Sequence, residues 1–263
     1  MHTLRSISER ILAALTFFTR IPLGRNVNVS AEAYRHVVPL WPLMGWLTGG
    51  LMVGIYLLAR RIGLGPEVAV VLALTGRVLL TGALHEDGLA DFCDGFGGRD
   101  KGRTLEIMKD SHIGTYGVLG LVIYFLLVSH VLTALISKGC SPLLFIAADA
   151  LSKCLASTII WFLPYARRPE EAKNGLVYAS SSAGERIISL IVGLVPLGLM
   201  VWTWTGASAI CMLIPPLVAA GVCAALILLM RRRIGGYTGD CCGATFLLTE
   251  LTFYLTFTLT LNS

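Results

Sequence analysis

Residues 116–137 read YGVLGLVIYFLLVSHVLTALIS, a stretch of 22 residues without Asp, Glu, Lys or Arg. Because an α-helix rises about 1.5 Å per residue, this stretch is long enough to cross the roughly 30 Å hydrocarbon core of a bilayer. Uncharged stretches also cover residues 37–59 and 187–230, and the second is long enough for two spans. The sequence therefore predicts at least four membrane-spanning helices.

Three further apolar stretches contain charged residues and complete the predicted set of spans. They are residues 68–84 with Arg77, residues 143–163 with Asp149 and Lys153, and residues 244–261 with Glu250. The whole chain is 55% hydrophobic and only 14% charged, whereas about a quarter of the residues of a soluble domain are charged. We therefore predict an all-α fold: one membrane-embedded domain over residues 1–263, with about seven transmembrane helices and an amphipathic interfacial helix over residues 1–20. A short soluble helix packed on the loops is the alternative for residues 1–20.

The long uncharged stretch of residues 187–230 needs a turn between its two spans. Small and polar residues at Thr205, Gly206 and Ala207 predict the turn there. The pair Pro215 and Pro216 offers a competing break, or a kink inside the later helix.

Lys and Arg residues are distributed unequally between the two sides of the membrane. With seven spans, sixteen of the 21 fall on the amino-terminal side: five before residue 37, four within 85–115, four within 165–186, and the three of residues 231–233. The positive-inside rule places this side in the cytoplasm. We therefore predict a multi-pass protein of the cytoplasmic (inner) membrane with its active site on the cytoplasmic face. The net charge of +5 is explained by anionic lipids and substrates and requires no nucleic acid.

An acidic motif follows directly on one of the predicted spans. Residues 85–95 read HEDGLADFCDG. In a helix, Asp87, Asp91 and Asp94 are spaced i, i+4 and i+7 and share one face. Carboxylate oxygens that leave room for water and substrate phosphate suit Mg²⁺. The motif therefore predicts a magnesium site, and a solvated acidic turn at the membrane surface is the alternative.

Basic and glycine-containing segments occur in the loops of the same predicted face. Residues 97–103 read GGRDKGR, residues 103–115 form an expected short amphipathic helix and turn, and residues 231–240 read RRRIGGYTGD. Cations beside flexible backbone are typical of phosphate binding. For Lys109, contact with lipid headgroups is an equal alternative. We expect these loops, together with residues 165–175, to build one site.

Four charged residues fall within the predicted spans. Asp149 and Lys153 are spaced i, i+4 and can neutralise each other, while Arg77 and Glu250 form an expected interhelical pair. A structural role and a role in lining a substrate cavity are equally compatible with this pattern. A cation-coupled transporter would use these residues near the midplane, whereas the denser acidic motif at the membrane surface favours an enzyme.

These motifs resemble those of the cobalamin synthase family, the adenosylcobinamide-GDP ribazoletransferases. The likeness runs in the family's order through residues 18–22 (FTRIP), 85–95, 105–115 (LEIMKDSHIGT) and 235–240 (GGYTGD), then Gly243, Ala244 and Glu250. The resemblance implies a bacterial or archaeal membrane enzyme that joins α-ribazole or its 5′-phosphate to adenosylcobinamide-GDP and releases GMP, with Mg²⁺ as cofactor. The acidic motif is also similar to that of CDP-alcohol phosphotransferases, which leaves a phospholipid phosphotransferase as an alternative.

The residues and the resemblance together assign expected roles. The magnesium ligands are Asp87, Asp91 and Asp94. The proton of the attacking hydroxyl goes to Asp240 or His85. Phosphate charge is neutralised by four cations, Arg103, Lys109, Arg167 and Arg233. The expected partners are the two substrates and the lipid bilayer, and formation of a homo-oligomer is left open.

Overall fold

The computed structural model describes residues 2–23, 29–168, 170, 177–203 and 212–261, with side chains from residue 7 onward. Within these ranges the chain forms α-helices and short 3₁₀ turns and no named strand, as predicted from the sequence. The α-helices are α1 (His2–Phe18), α2 (Ala31–Arg35), α3 (Trp41–Arg61), α4 (Pro66–Thr81), α5 (Leu84–Asp94), α6 (Lys101–Ile107), α7 (Thr115–Ser137), α8 (Leu144–Ser157), α9 (Ile159–Phe162), α10 (Ala183–Trp202), α11 (Ile214–Ile234) and α12 (Gly239–Thr260).

Six helical segments in the described part of the chain are long and apolar enough to cross a membrane. They are Val38–Arg61, Thr115–Ser137, Leu144–Phe162, Ala183–Trp202, Ile214–Ile234 and Gly239–Thr260, which match six of the seven predicted spans. The predicted span over residues 68–84 is a bent pair instead, because α4 ends at Thr81 and α5 leaves it at 90°. The pair makes a seventh span only when both helices are counted together.

The bend between α4 and α5 is produced by two residues with left-handed backbone. Gly82 has a φ of 65° and Ala83 a φ of 58°, the latter uncommon for a residue with a side chain. The N–H groups of both residues donate back to α4, to the carbonyls of Leu79 (3.4 Å) and Val78 (3.0 Å). These hydrogen bonds close the end of α4, so the acidic motif lies on a separate helix.

Two of the helices with buried charges, α8 and α12, lie at the centre of the bundle. In the most apolar stretch of α8 with α9, 78% of the residues are buried within the protein, and in α12 the share is 67%. The corresponding share is 22% for both α7 and α11, which are more apolar in sequence. Lipid-facing helices therefore hold the apolar residues, and the central ones can hold polar groups.

Glycines allow α3 to approach the central helix α8 closely. A Cβ atom added to Gly45 would lie 2.5 Å from the Cα of Ala150, and one added to Gly49 would lie 2.7 Å from the Cα of Ile146. Small residues at helix contacts are typical of membrane bundles, where close packing replaces the hydrophobic effect between helices.

The connection between the spans of residues 187–230 is only partly described. Helix α10 ends at Trp202 and α11 begins at Ile214. The predicted turn near residues 205–207 falls in this interval but outside the described residues. Pro215 and Pro216 lie in the first turn of α11, where proline costs no hydrogen bond, and they do not interrupt the helix.

The amino-terminal helix α1 packs on the bundle through its carboxyl-terminal half. Ala13, Ala14 and Phe18 are buried, whereas Ile7 is exposed. The ring of Phe18 stacks on Trp41 with the ring centroids 5.4 Å apart. Helix α1 therefore forms part of the wall around the end of the bundle at which α5 lies, and its position in the membrane interface stays a prediction.

Candidate active site

Three loops that the sequence assigned to one face lie together in the structure. Tyr237 and the segment after α9 exchange backbone hydrogen bonds: Ala166 N donates to Tyr237 O (2.8 Å) and Tyr237 N donates to Pro164 O (2.9 Å). Nη2 of Arg167 donates to the carbonyl of Leu105 (3.1 Å), which joins the same segment to the loop after the acidic motif. The predicted convergence of these loops is confirmed.

The two tyrosines at this junction make an edge-to-face contact. The ring centroids of Tyr165 and Tyr237 are 5.6 Å apart. Burial raises the pKa of both phenols above the ordinary value. Both hydroxyls therefore stay protonated at neutral pH, and that of Tyr165, which lines the cavity described below, can donate a hydrogen bond.

Helices α5 and α12 cross so closely that glycine is needed on both. A Cβ atom added to Gly88 would lie 2.9 Å from the carbonyl oxygen of Asp240, and one added to Gly243 would lie 3.1 Å from the carbonyl oxygen of His85. This crossing brings the middle of the acidic motif against the first turn of α12. It explains why the motifs of residues 85–95 and 235–240 act on one space although they are far apart in sequence.

A cavity of about 470 Å³ opens at this crossing. Its charged lining consists of two carboxylates, Asp87 and Asp240, and two guanidinium groups, Arg20 and Arg167. Its aromatic lining is Phe17, Phe18, Trp41, Tyr165 and Tyr178. The remaining wall is formed largely by the backbone-rich turns around Gly82 and Gly239. The mixture of both charges with aromatic surface suits a phosphorylated ligand that also has flat rings.

Asp240 is better placed than His85 to take a proton from a ligand in this cavity. Asp240 lies in the first turn of α12 and accepts a hydrogen bond from the hydroxyl of Thr238 (3.2 Å). His85 also borders the cavity, but its ring is only 2% exposed, stacked on Trp41 and edge-on to Phe246. Neither ring nitrogen of His85 has a hydrogen-bond partner among the described residues.

A family profile described as cobalamin-5-phosphate synthase (CobS) matches residues 10–258. The chain belongs to the CobS family. Similar relatives named adenosylcobinamide-GDP ribazoletransferase come from Shewanella amazonensis (37% identity, 97% of this chain and 96% of the relative), Shewanella woodyi (36%, 97% and 97%) and Clostridium botulinum (36%, 96% and 98%). No solved structure matches the chain.

The three carboxylates of the CobS acidic motif do not meet at one point. Asp87 is exposed on the cavity, Asp91 is buried one turn behind it, and Asp94 faces helix α7. Residues spaced i and i+7 share a face but lie about 10 Å apart along a helix axis. Among the described residues, no three His, Cys, Asp or Glu side chains form a group that could hold a metal ion.

Asp94 caps the amino terminus of α7. Its two carboxylate oxygens accept hydrogen bonds from the backbone N–H groups of Gly114 (2.7 Å) and Gly117 (2.8 Å). Any side chain at either glycine would collide with this carboxylate. The interaction satisfies amides at the start of a 23-residue spanning helix and places a negative charge at the positive end of its dipole.

Of the four cations assigned to phosphate, only Arg167 lines the cavity. Arg103 pairs with Glu106 (2.8 Å) and borders a second cavity of about 320 Å³ that also contains Asp94. Arg233 donates to the carbonyl of Gly98 (3.0 Å), so it holds the turn that follows α5. Lys109 is exposed after α6 and lines neither of these two cavities. Residues 173–175 lie outside the described part of the chain.

The four intramembrane charges form one buried network, with both predicted pairs present. Arg77 donates to Glu250 (2.5 Å), and Lys153 pairs with Asp149. Arg77 also lies 3.7 Å from Asp149, which joins the two pairs. Tyr124, Tyr254 and Thr48 supply further hydrogen bonds to the carboxylates. Because the four charged side chains are at most 1% exposed and balance one another, the geometry favours the structural interpretation over a substrate-lining one.

Arg20 is the cavity cation that the sequence analysis did not single out as a site residue. It lies in the FTRIP segment after α1, and its backbone N–H donates to the carbonyl of Leu80 (2.7 Å) at the end of α4. In the charge pattern, Arg20 is only one of five Lys and Arg residues before residue 37, so the pattern does not distinguish it. The resemblance of the FTRIP segment to the family was the one feature of the sequence that could have identified Arg20 as a site residue.

Proposed function

We propose that this chain joins α-ribazole or its 5′-phosphate to adenosylcobinamide-GDP and releases GMP, the final assembly of the cobalamin nucleotide loop. The family membership and the name of the relatives support this transfer. The observation that carries the proposal is the cavity, whose lining combines the carboxylates of Asp87 and Asp240 with the guanidinium groups of Arg20 and Arg167. Attack of a sugar hydroxyl on a phosphoanhydride needs a group that accepts the hydroxyl proton, and it needs cations that neutralise phosphate charge.

Asp240 would accept the proton of the ribazole hydroxyl. The hydroxyl oxygen attacks the phosphorus atom attached to cobinamide, and the bond from that phosphorus to the bridging oxygen of GMP breaks. Asp240 lies in the first turn of α12 and borders the cavity, so its carboxylate can reach a hydroxyl group bound there. Arg20 and Arg167, which line the same cavity, would neutralise phosphate charge.

We also propose Mg²⁺ as the cofactor, held by Asp87 with Asp91 one helical turn away. Mg²⁺ is usually bound by one or two carboxylates together with waters and substrate phosphates, so an exposed carboxylate at the cavity wall fits it. Asp94 does not fit, because both of its oxygens accept amides of α7. When bound, the ion would stabilise the negative charge that develops on the diphosphate.

The proposed location is the cytoplasmic membrane, with the cavity open to the cytoplasm. The basic segments lie at the same end of the bundle: Arg10 pairs with Glu185 (2.6 Å), and Ala179 N donates to the carbonyl of Arg35 (2.8 Å). Arg167 and Arg233 make the contacts already described at this end. Positive charge concentrated at one end supports a cytoplasmic orientation of that end.

The test is release of GMP by the purified protein in detergent or nanodiscs. The reaction contains adenosylcobinamide-GDP, Mg²⁺ and either α-ribazole or α-ribazole 5′-phosphate. We expect GMP and a corrinoid product in equal amounts. Absence of GMP with both forms of ribazole would overturn the proposal, and consumption of a CDP-activated lipid would identify a phospholipid phosphotransferase.

A further inference from the structure

Helix α5 begins without a cap, and its first turn opens into the active-site cavity. Its N-cap position is Ala83, and within the described residues no side chain accepts a hydrogen bond from the first amides. The wall of the cavity includes Gly82, Ala83 and Leu84. The first N–H groups of a helix have no acceptor inside the helix, and together with the helix dipole they attract anions.

The side chain of Arg20 is held over the same bend. A Cβ atom added to Gly82 would overlap Nε of Arg20 and would lie 2.8 Å from its Cγ. The positive φ of Gly82 and the absence of a side chain there therefore let the guanidinium group lie beside the start of α5. This places a cation next to uncapped amides, an arrangement that an anion would stabilise.

Arg167 provides independent evidence for a ligand in this place. Its side chain lines the cavity and is only 9% exposed, and its Nε is buried without an acceptor among the described residues. Its Nη2 is already engaged by the carbonyl of Leu105. Because a buried N–H of a charged group is destabilising without a partner, a small shift of this side chain toward an anion in the cavity would be favoured.

We propose that the start of α5, Arg20 and Arg167 form a phosphate subsite for the 5′-phosphate of the ribazole substrate. The inference rests on the proposed function. A phosphate monoester carries nearly two negative charges, which two guanidinium groups and a helix amino terminus match. The diphosphate of adenosylcobinamide-GDP belongs beside Asp87, where the proposed Mg²⁺ would neutralise it. Asp87 belongs to the first turn of the same helix, so the two substrates would present their phosphates next to each other in one cavity.

The experiment compares the KM of three substrates in Arg20→Gln and Arg167→Gln. We expect the KM for α-ribazole 5′-phosphate to rise at least tenfold in each variant. The KM values for unphosphorylated α-ribazole and for adenosylcobinamide-GDP should rise by a clearly smaller factor. Arg167→Lys, which keeps the charge but loses the forked geometry, should give a smaller rise. Arg60 lies in the last turn of α3, whereas Trp41 at the start of this helix lines the cavity. Arg60→Gln is therefore the matched control and should change none of the three KM values.

Two kinetic results would overturn the subsite. The first is an equal rise in KM for both forms of ribazole, or no rise at all. The second is a rise confined to adenosylcobinamide-GDP, which would assign the subsite to the diphosphate.

Calorimetric titration of α-ribazole 5′-phosphate into the solubilised protein tests the subsite independently of GMP release. It therefore distinguishes a failure of the subsite from a failure of the proposed function. Binding to wild type that is weakened at least tenfold in Arg167→Gln supports the subsite even without GMP release. Absence of binding to wild type overturns it. Melting temperatures of the variants confirm that each one is folded.

Discussion

Gly88 of α5 lies directly against the backbone of Asp240 in α12, so that a Cβ atom at residue 88 would be 2.9 Å from the carbonyl oxygen of Asp240. The neighbouring atoms belong to the backbone and cannot rotate away. Contact between these two residues fixes the distance between the acidic motif and the carboxylate that we assign as the base.

The first prediction concerns this contact. Gly88→Ala should push α5 away from α12, lower GMP release at least tenfold and destabilise the protein by about 1–3 kcal/mol. Gly50→Ala is the matched control, since its Cβ atom would have no neighbour within 4 Å. Turnover and the melting temperature in detergent measure both effects. Equal behaviour of the two variants would show that the close crossing has no role in the site.

The second prediction separates the roles within the acidic motif. Asp87→Asn should lower activity about a hundredfold, because it removes a charged contributor to transition-state stabilisation, and should weaken the apparent affinity for Mg²⁺. Asp94→Asn should leave the Mg²⁺ dependence unchanged and lower stability by about 1 kcal/mol, since it weakens the cap of α7. The measurement is GMP release against Mg²⁺ concentration, together with thermal unfolding. Unchanged Mg²⁺ curves for Asp87→Asn would contradict the metal site.

The third prediction tests Asp240 as the proton acceptor. Asp240→Ala should lower kcat at least tenfold while KM for adenosylcobinamide-GDP and membrane insertion stay close to wild type. Near-normal turnover would mean that residues 235–240 form only an interfacial turn. His85 would then be the remaining candidate for the proton acceptor.

The fourth prediction concerns the buried charge network. Glu250→Gln leaves Arg77 without its nearest carboxylate, and loss of one partner of a buried ion pair costs about 3–5 kcal/mol. We expect a strongly reduced yield of folded protein in detergent. Combining it with Arg77→Met should recover part of the loss, because the uncompensated charge is removed. A double variant less stable than Glu250→Gln would contradict this account.

The fifth prediction is topological. Reporters fused after Arg103 and Arg233 should be cytoplasmic, and a reporter after Ser263 should be external, because α12 runs from the site to the other end of the bundle. Alkaline phosphatase and fluorescent-protein fusions measure the two sides. A cytoplasmic carboxyl terminus would contradict the orientation of the bundle.

Features that depend on local sequence could be predicted, and features that depend on contacts between helices could not. Uncharged stretches predicted four of the six spans, and apolar stretches with one or two charges predicted the other two, because length and apolar composition decide insertion. The i, i+4 spacing of Asp149 and Lys153 gave their pairing for the same local reason. By contrast, two residues on the same helix face can lie far apart along the helix axis. The spacing of Asp87 and Asp94 therefore predicted a cluster of carboxylates that the structure does not form.

The position of Arg20 and the break after Thr81 illustrate the same limit. Residues 68–84 have the composition of a continuous span, and Ala83 gives no local sign of a left-handed backbone. Arg20 reaches the cavity because α1 packs beside Trp41, a contact between segments that no periodicity encodes. Such arrangements are decided by packing, which a single sequence does not display.

The early end of α4 also sets the depth of the reaction. Its 16 residues reach about 24 Å, whereas the hydrocarbon core is about 30 Å thick. An α4 that begins at the opposite membrane surface would place the turn at Gly82, and the part of the cavity beside it, below the headgroup layer. In the proposed reaction, such a recess would let the large corrinoid substrate stay at the membrane surface while its diphosphate enters the cavity.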